Sequence, residues 1–256
     1  MKFPFVISIP HCSSWIPEEV RPTLALTEEQ VEESADIGTK EIFGSLPAQK
    51  VLFAEWSRLV VDLNRGAHER GPKGVIPHVD DYGRNSYRPG RFPDEREVAE
   101  RVRKYYTPFH TRLKNALVGQ DIRGLCDCHS LNGIGPREAP DAGRKRKDIV
   151  LGNNGDEQGN VNPALGRTTC PPKTLHLIRD AFEKAGFSVS INHPYSGGFI
   201  TTHYGQECAD KGKIAFQIEI NQDLYANPTN KQLVPERLDD VKSRVWQAFE
   251  EITKRL

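Results

Sequence analysis

Polar side chains with the chemistry of a metal-dependent hydrolase follow several apolar runs of this 256-residue sequence. In chain order they are His11, Asn64, Arg65, Asp127, His129 and Glu219. Zinc at catalytic sites is typically held by two imidazoles and a carboxylate, with one position open for water. A glutamate that does not bind the metal can act as general base. These residue types therefore predict a hydrolytic metal site.

The spacing of Asp127 and His129 adds a geometric argument. Side chains alternate along a strand, so these two should face the same side, with the carboxylate as an outer partner of the imidazole. The alternative is a capping acid and a surface histidine at a strand end. Arg65, beside Asn64, can grip a substrate carboxylate with two hydrogen bonds, or can form a structural ion pair with Asp62.

The elements that must position these residues are predicted from hydrophobic periodicity and from capping and turn residues. Strands are predicted over 3–9, 50–54, 58–62, 122–128, 148–152, 187–192 and 215–220. Helices are predicted over 28–43, 95–106, 108 to about 118, 171 or 172 to 186, and 235–255. An α/β sheet places ligands at the carboxyl ends of its strands. Such a fold would gather the polar strand ends at one edge.

Two long segments lack periodicity and are predicted to be active-site loops, at about 66–93 and 131–147. The second carries five basic residues, for which a solvated basic loop is the alternative. The chain length fits a single domain over 1–256.

Composition limits the class of partner. Lys plus Arg (35) equals Asp plus Glu (35), which argues against a nucleic-acid partner or an anionic membrane surface. A small-molecule substrate is expected instead. The first ten residues are too short and too rich in proline for a signal peptide. The five cysteines include no CxxC pair and are interpreted as packing residues of a protein in a reducing, cytoplasmic location.

The sequence resembles the N-formylglutamate amidohydrolase family, and the similarity runs in the family's order across nearly the whole chain. The motifs are Ser8-Ile9-Pro10-His11, Asp36, Ser57-Arg58-Leu59-Val60-Val61-Asp62-Leu63-Asn64-Arg65, Asp127-Cys128-His129-Ser130, Leu151-Gly152, Gly197-Gly198, His203-Tyr204-Gly205 and Gln217-Ile218-Glu219. The segment from Ser57 to Arg65 together with Asp-x-His-Ser and His-Tyr-Gly is the most specific part.

The resemblance implies a three-layer α/β sandwich with a central mixed, mostly parallel sheet, similar to that of zinc carboxypeptidases and aspartoacylases. It implies hydrolysis of N-formyl-L-glutamate, or of a similar N-acyl amino acid, to the free amino acid and formate. The implied cofactor is one Zn²⁺ per chain, with another divalent metal as the alternative.

The resemblance also implies the ligand set. His11, His129 and Asp36 are the expected metal ligands. In the carboxypeptidases and aspartoacylases a glutamate ligand follows the first histidine by three residues, but Ser14 occupies that position here. The carboxylate must therefore come from elsewhere, and Glu33, three residues before Asp36 on the predicted helix, is the alternative.

Further roles are implied for the remaining motif residues. For catalysis they are Glu219 as general base, Arg58 near the scissile carbonyl and His203 as a donor to the oxyanion. For substrate binding they are Asn64, Arg65, Arg137 and Tyr204. Each has a structural alternative: Glu219 can pair with a buried arginine, and His203 and Tyr204 can anchor a turn. His110 also recurs in the family, with a packing role equally compatible with its helical position.

Two other functions stay open at this point. One is a zinc peptidase or a deacylase that acts on larger acyl groups. The other is a catalytically silent small-molecule-binding protein on the same scaffold. The acyl group, the amino acid and the oligomeric state are left open as well.

Overall fold

A mixed sheet forms the centre of the computed structural model, which describes residues 2–256. Within these residues the strands are β1 (Phe3–Ile9), β2 (Ala48–Phe53), β3 (Gly124–Leu131), β4 (Ile149–Gly152), β5 (Val189–Ile191) and β6 (Ile214–Asn221). Their spatial order is β2-β1-β3-β6-β4-β5. All neighbouring pairs are parallel except β4 with β6. The predicted mixed, mostly parallel sheet is thus confirmed.

Helices cover both faces of the sheet. They are α1 (Glu28–Glu33), α2 (Thr39–Phe43), α3 (Glu95–Arg101), α4 (Thr107–Ala116), α5 (Pro172–Lys184), α6 (Phe199–Ala209) and α7 (Pro235–Arg255). A π-helical turn, Val102–Tyr106, joins α3 to α4. Apolar residues of α2, α5 and α7 pack on one face, and those of α1, α3, α4 and α6 pack on the other. This arrangement is the predicted three-layer sandwich.

The central strand β3 is buried along its whole length, because β1 and β6 flank it and helices cover both of its faces. Its polar residues are buried as well: Asp127 is 0% exposed and His129 is 2% exposed. Buried polar groups need hydrogen-bond or ionic partners. The end of this strand is consequently where such partners should be sought.

The prediction of one helix over 28–43 is wrong. Gly38 adopts a left-handed backbone conformation (φ 76°) and separates α1 from α2. Asp36 lies in this break, where its backbone N–H donates to the carbonyl of His11 at 2.9 Å. The break turns the Asp36 carboxylate toward the sheet, so Glu33 and Asp36 do not share a helix face.

The prediction of a strand over 58–62 is also wrong. This segment forms a turn in which the N–H of Val60 donates to the carbonyl of Ser57 at 2.9 Å. Its apolar side chains are buried against the helices of the second face without joining the sheet. The sequence reasoning also missed α6, which carries His203 and Tyr204.

Residues 66–93 and 132–147 form no helix or strand, only isolated bridges. They run beside the polar strand ends, and several of their side chains line the cavity described below. No helix in the described part of the chain is long and apolar enough to cross a membrane.

Candidate active site

The site lies at the carboxyl ends of β1, β3 and β6, which are neighbours in the sheet. His129 on β3 stands directly opposite Glu219 on β6 in the parallel register. His11 follows the end of β1 by two residues and is 3% exposed. All three side chains line one cavity of about 440 Å³. The sheet thus brings together the polar ends of β1, β3 and β6, whereas Asn64 and Arg65, predicted at a further strand end, follow the turn after Ser57.

His11, Asp36 and His129 form a buried cluster whose candidate ligand atoms all lie within 4.8 Å of one another. Asp36 Oδ2 lies 3.0 Å from His129 Nδ1 and 3.6 Å from His11 Nδ1. Two imidazole nitrogens and a carboxylate oxygen are therefore directed at one point. Glu33, the alternative carboxylate, lines the same cavity but pairs with Arg84 at 2.7 Å.

Each imidazole has a second carboxylate on its far nitrogen. His11 Nε2 lies 2.7 Å from Asp62 Oδ1, and His129 Nε2 lies 3.2 Å from Asp127 Oδ2. When each Nε2–H donates to its carboxylate, each Nδ1 presents a lone pair toward Asp36. Metal-binding histidines are commonly oriented in this way. The donor set therefore fits a zinc-like divalent cation.

The charges of the cluster support the same conclusion. Burial by itself disfavours the charged imidazole of His129, but the carboxylates of Asp127 and Asp36 outweigh this effect and raise its pKa well above the usual value. Burial raises the pKa of Asp36, yet the contacts with both imidazoles lower it by more, so the net pKa is depressed. The site accordingly favours positive charge between buried carboxylates, and a divalent cation would supply that charge.

Glu219 stands beside the cluster and is 8% exposed. Burial raises the pKa of its carboxyl group to about 8, although the positive charge of His129 opposes the shift. Gln217 orients the side chain: its Nε2 donates to Glu219 Oε1 at 2.9 Å, and its Oε1 accepts from the Gly198 N–H at 2.7 Å. A carboxyl group with a pKa near neutrality is suited to exchange protons with a substrate.

The turn after Ser57 supplies the cationic wall of the cavity. Arg58 Nη2 donates to Asp62 Oδ2 at 2.9 Å, and its Nη1 lies 3.6 Å from Asp81. Arg65 donates from Nε to the carbonyl of Lys73 and from Nη1 to the carbonyl of Asn64, each at 2.9 Å. Among the described residues Arg65 forms no ion pair, so its positive charge is available to an anion in the cavity.

Asn64 connects this turn to α6 and to the cluster. Its Oδ1 accepts from the Ile200 N–H at 2.8 Å, and its Nδ2 lies 3.2 Å from His129 Nε2. Gly198 leaves the necessary room, because a Cβ there would lie 2.1 Å from Asn64 Nδ2. Gly198 of the motif thus has a steric reason.

Three residues predicted from the motifs lie outside the cavity. Arg137 is an exposed loop residue whose side chain is 85% exposed. His203 is half-exposed on α6, near Glu207 and stacked on Phe199. Tyr204 is buried, and its hydroxyl contacts His110 Nδ1 at 2.8 Å. The structure does not bring these three side chains together with the cluster.

Other cavity residues were not found from the sequence. Lys73 and Tyr82 come from the first long loop, Arg146 comes from the second, and Tyr195 comes from the segment after β5. Arg146 is held by a two-point ion pair with Asp141 and donates to the hydroxyl of Tyr195 at 3.2 Å. The only sequence signal for them was the loop composition, which does not tell a lining residue from a solvated one.

The match to a protein-family model agrees with this geometry. Residues 3–226 match the model of the N-formylglutamate amidohydrolase family. The chain belongs to this family. The matched region contains the whole cluster, Glu219 and the Arg58–Arg65 turn, whereas α7 lies beyond it. Membership of the N-formylglutamate amidohydrolases confirms the resemblance seen in the sequence motifs.

Two curated proteins with the name N-formylglutamate deformylase are similar to the chain. That of Pseudomonas aeruginosa is 28% identical over 240 residues, which covers 88% of this chain and 82% of the relative. That of Pseudomonas putida is 26% identical over 242 residues, which covers 89% of this chain and 84% of the relative.

A solved structure shares the fold. The crystal structure of an N-formylglutamate amidohydrolase from Ralstonia eutropha JMP134 superposes with a TM-score of 0.76 at 20% identity. The superposition covers 100% of this chain and 96% of that one. The Ralstonia protein thus shares the three-layer arrangement described above.

Proposed function

We propose that the protein is a metal-dependent amidohydrolase that cleaves N-formyl-L-glutamate, or a similar N-acyl amino acid, to the free amino acid and formate. The main support is the buried His11–Asp36–His129 cluster beside Glu219, in a cavity that Arg65 also lines. The two relatives named N-formylglutamate deformylase support the substrate class.

The proposed metal is zinc, held by His11 Nδ1, His129 Nδ1 and the Asp36 carboxylate. A zinc ion bound there would act as a Lewis acid toward the acyl carbonyl and would lower the pKa of a water to about 7. Asp62 and Asp127 fix the two imidazoles with the required nitrogens facing inward.

Glu219 is the proposed general base. It accepts the proton of the attacking water and then donates it to the leaving amine. Gln217 holds the carboxylate in place during both transfers. Arg58 lies on the cavity wall, where it can stabilise negative charge that develops on the carbonyl oxygen.

Arg65 is proposed to bind the α-carboxylate of the substrate. Two backbone carbonyls hold its guanidinium group, and no carboxylate of the described residues forms an ion pair with it. A planar, forked donor suits a carboxylate better than a lysine ammonium group does. Asn64 assists by fixing the backbone carbonyl that Arg65 uses.

The proposal is tested by two measurements on one sample. Elemental analysis of unsupplemented protein should find about one zinc ion per chain, the stoichiometry expected for one such ligand set. A panel of N-formyl, N-acetyl and longer N-acyl amino acids should show the fastest release of amino acid from N-formyl-L-glutamate. A preference for long acyl groups would favour the deacylase alternative, and metal-free, inactive protein would favour the binding-protein alternative.

Arg65→Lys should raise KM for N-formyl-L-glutamate by about 30-fold, equivalent to roughly 2 kcal/mol, because the two-point contact with the α-carboxylate is lost. Metal content should stay unchanged. The matched substrate 4-formamidobutanoate lacks the α-carboxylate. Its KM should be high with the wild type already, and Arg65→Lys should raise that KM little further. Arg91→Lys, at an exposed loop position, serves as the control. If Arg65→Lys raises KM equally for both substrates, Arg65 acts on the scissile carbonyl or on the fold.

A further inference from the structure

The helical segment that includes the π-turn holds the backbone on both sides of Asn64. The hydroxyl of Tyr106 donates to the carbonyl of Arg65 at 2.8 Å. His110 Nε2 contacts the carbonyl of Leu63 at 3.0 Å. Tyr106 and His110 are four residues apart, so they lie on the same face of the helical segment. Neither contact belongs to the proposed metal or proton chemistry.

The hydrogen bonds define the state of His110. A carbonyl only accepts, so Nε2 carries the hydrogen and donates to Leu63. Nδ1 then accepts from the hydroxyl of Tyr204 at 2.8 Å. This arrangement requires a neutral ring, and burial lowers the pKa of His110 to about 4. Tyr204 on α6 therefore selects the tautomer that binds the Leu63 carbonyl.

The π-turn explains how Tyr106 and His110 face the loop. The N–H of Thr107 donates to the carbonyl of Val102, five residues earlier. One extra residue in the turn rotates the following helix relative to α3. The Tyr106 and His110 rings stack with centroids 3.9 Å apart at 25°, and both residues are less than 9% exposed. The pair is thus a rigid, buried support.

The position of Arg65 depends on the backbone that this support holds. Its Nη1 donates to the carbonyl of Asn64, which lies between the two clamped carbonyls. On the far side, the Ile200 N–H fixes the Asn64 side chain. We infer that Tyr106, His110 and Tyr204 are positioning residues that aim the Arg65 guanidinium and so set affinity for a substrate α-carboxylate. The inference rests on the proposed carboxylate contact of Arg65.

The test measures binding rather than turnover. The parent is Glu219→Gln protein as purified, and the ligands are N-formyl-L-glutamate and 4-formamidobutanoate, compared by calorimetry. Tyr106→Phe keeps the ring and its stacking but removes one hydrogen bond. It should raise Kd for N-formyl-L-glutamate by about fivefold, the usual effect of one such bond, and leave Kd for 4-formamidobutanoate within about twofold.

Two further variants sharpen the comparison. Tyr105→Phe is the matched control, because the hydroxyl of Tyr105 contacts Glu19 at 2.6 Å instead of the loop; neither Kd should change. His110→Phe should raise Kd for N-formyl-L-glutamate more than His110→Gln does, because glutamine retains a donor for Leu63. If His110→Phe does not fold, the two Kd values of Tyr106→Phe still test the inference.

Three results would overturn the inference. One is an equal rise in Kd for both ligands, which marks Tyr106 as a support of the cavity as a whole. Another is an unchanged Kd of Tyr106→Phe for both ligands. The third is a parent protein with no preference for N-formyl-L-glutamate, which removes the carboxylate contact itself. The proposed hydrolysis is judged separately by turnover of the wild type, so failure of one can be distinguished from failure of the other.

Discussion

Glu219→Gln is expected to lower kcat for N-formyl-L-glutamate by about 10³-fold, within the range that general acid–base groups contribute. The amide has the shape of the carboxyl group and still accepts from Gln217 through Oε1, but it cannot take a proton from water. Metal content should not change, since His11, Asp36 and His129 are untouched. Steady-state kinetics with elemental analysis on the same preparation provides the measurement.

Stability gives a second readout for this variant, in metal-free protein. Burial raises the pKa of Glu219 from 4.5 to about 8, so the folded state prefers the protonated form while the unfolded state ionises above 4.5. The unfolded state therefore binds fewer protons in this window, and wild-type stability falls as pH rises from 4.5 to 8. Glutamine does not ionise, so the Tm of the variant should exceed that of the wild type by more at pH 8 than at pH 5.

The control for both readouts is Glu207→Gln, a change of the same kind on α6 outside the cavity. It should affect neither kcat nor the pH dependence of Tm. Near-native turnover in Glu219→Gln would assign the base to another group. Asp127, fully buried behind His129, would then be the next carboxylate to test.

The strands at the centre of the sheet could be predicted from the sequence because burial on both faces leaves a simple signal. The strands β1, β3 and β6 each read as a short apolar run bounded by turn residues, and the structure has all three. The long helix α7 was equally clear, with regular apolar spacing and a proline at its start.

The same signal failed where burial occurs without sheet pairing. Leu59, Val60 and Val61 form an apolar, partly β-branched run, yet they are buried in a turn under the helices. Around Asp36 the apolar spacing continues through the break, and the contact that holds the Asp36 backbone there comes from His11, far away in sequence. Gly38 is a local sign of the helix break, whereas the burial of Leu59, Val60 and Val61 in a turn depends on tertiary contacts alone.

For the site, residue types at strand ends predicted which groups would meet, since topology alone brings strand ends together. The directions of side chains on helices and loops could not be predicted in this way. Tyr204 was expected at the substrate but contacts His110 instead, and Arg137 lies in solvent. Such orientations depend on helix phase and loop path, which a single sequence does not specify.

The second large effect is expected from His129→Ala, which should reduce metal affinity by more than about 100-fold, since loss of an outer partner alone typically costs 10- to 100-fold. Asp127→Asn, which removes only the charge behind His129, should fall within that smaller range. Chelator competition followed by metal analysis would rank the two variants. His176→Ala should keep the metal, because this half-buried histidine lies on α5 and contacts the carbonyl of Gln158 instead of the cluster.

His129→Ala also removes the imidazole that Asp36 and Asp127 both contact, and the buried carboxylate charges that it neutralised then destabilise the fold. Asp36→Asn is the control for a loss of metal that is caused by unfolding. The amide preserves the shape of the carboxylate and can still accept from the Ser130 N–H, which lies 3.3 Å from Asp36 Oδ2. This variant should be folded by circular dichroism and still bind metal poorly, since a neutral amide is a weaker zinc ligand than a carboxylate. If both variants retained a full complement of metal, the ion would have to bind elsewhere, and the His11–Asp36–His129 cluster would be a structural hydrogen-bond network.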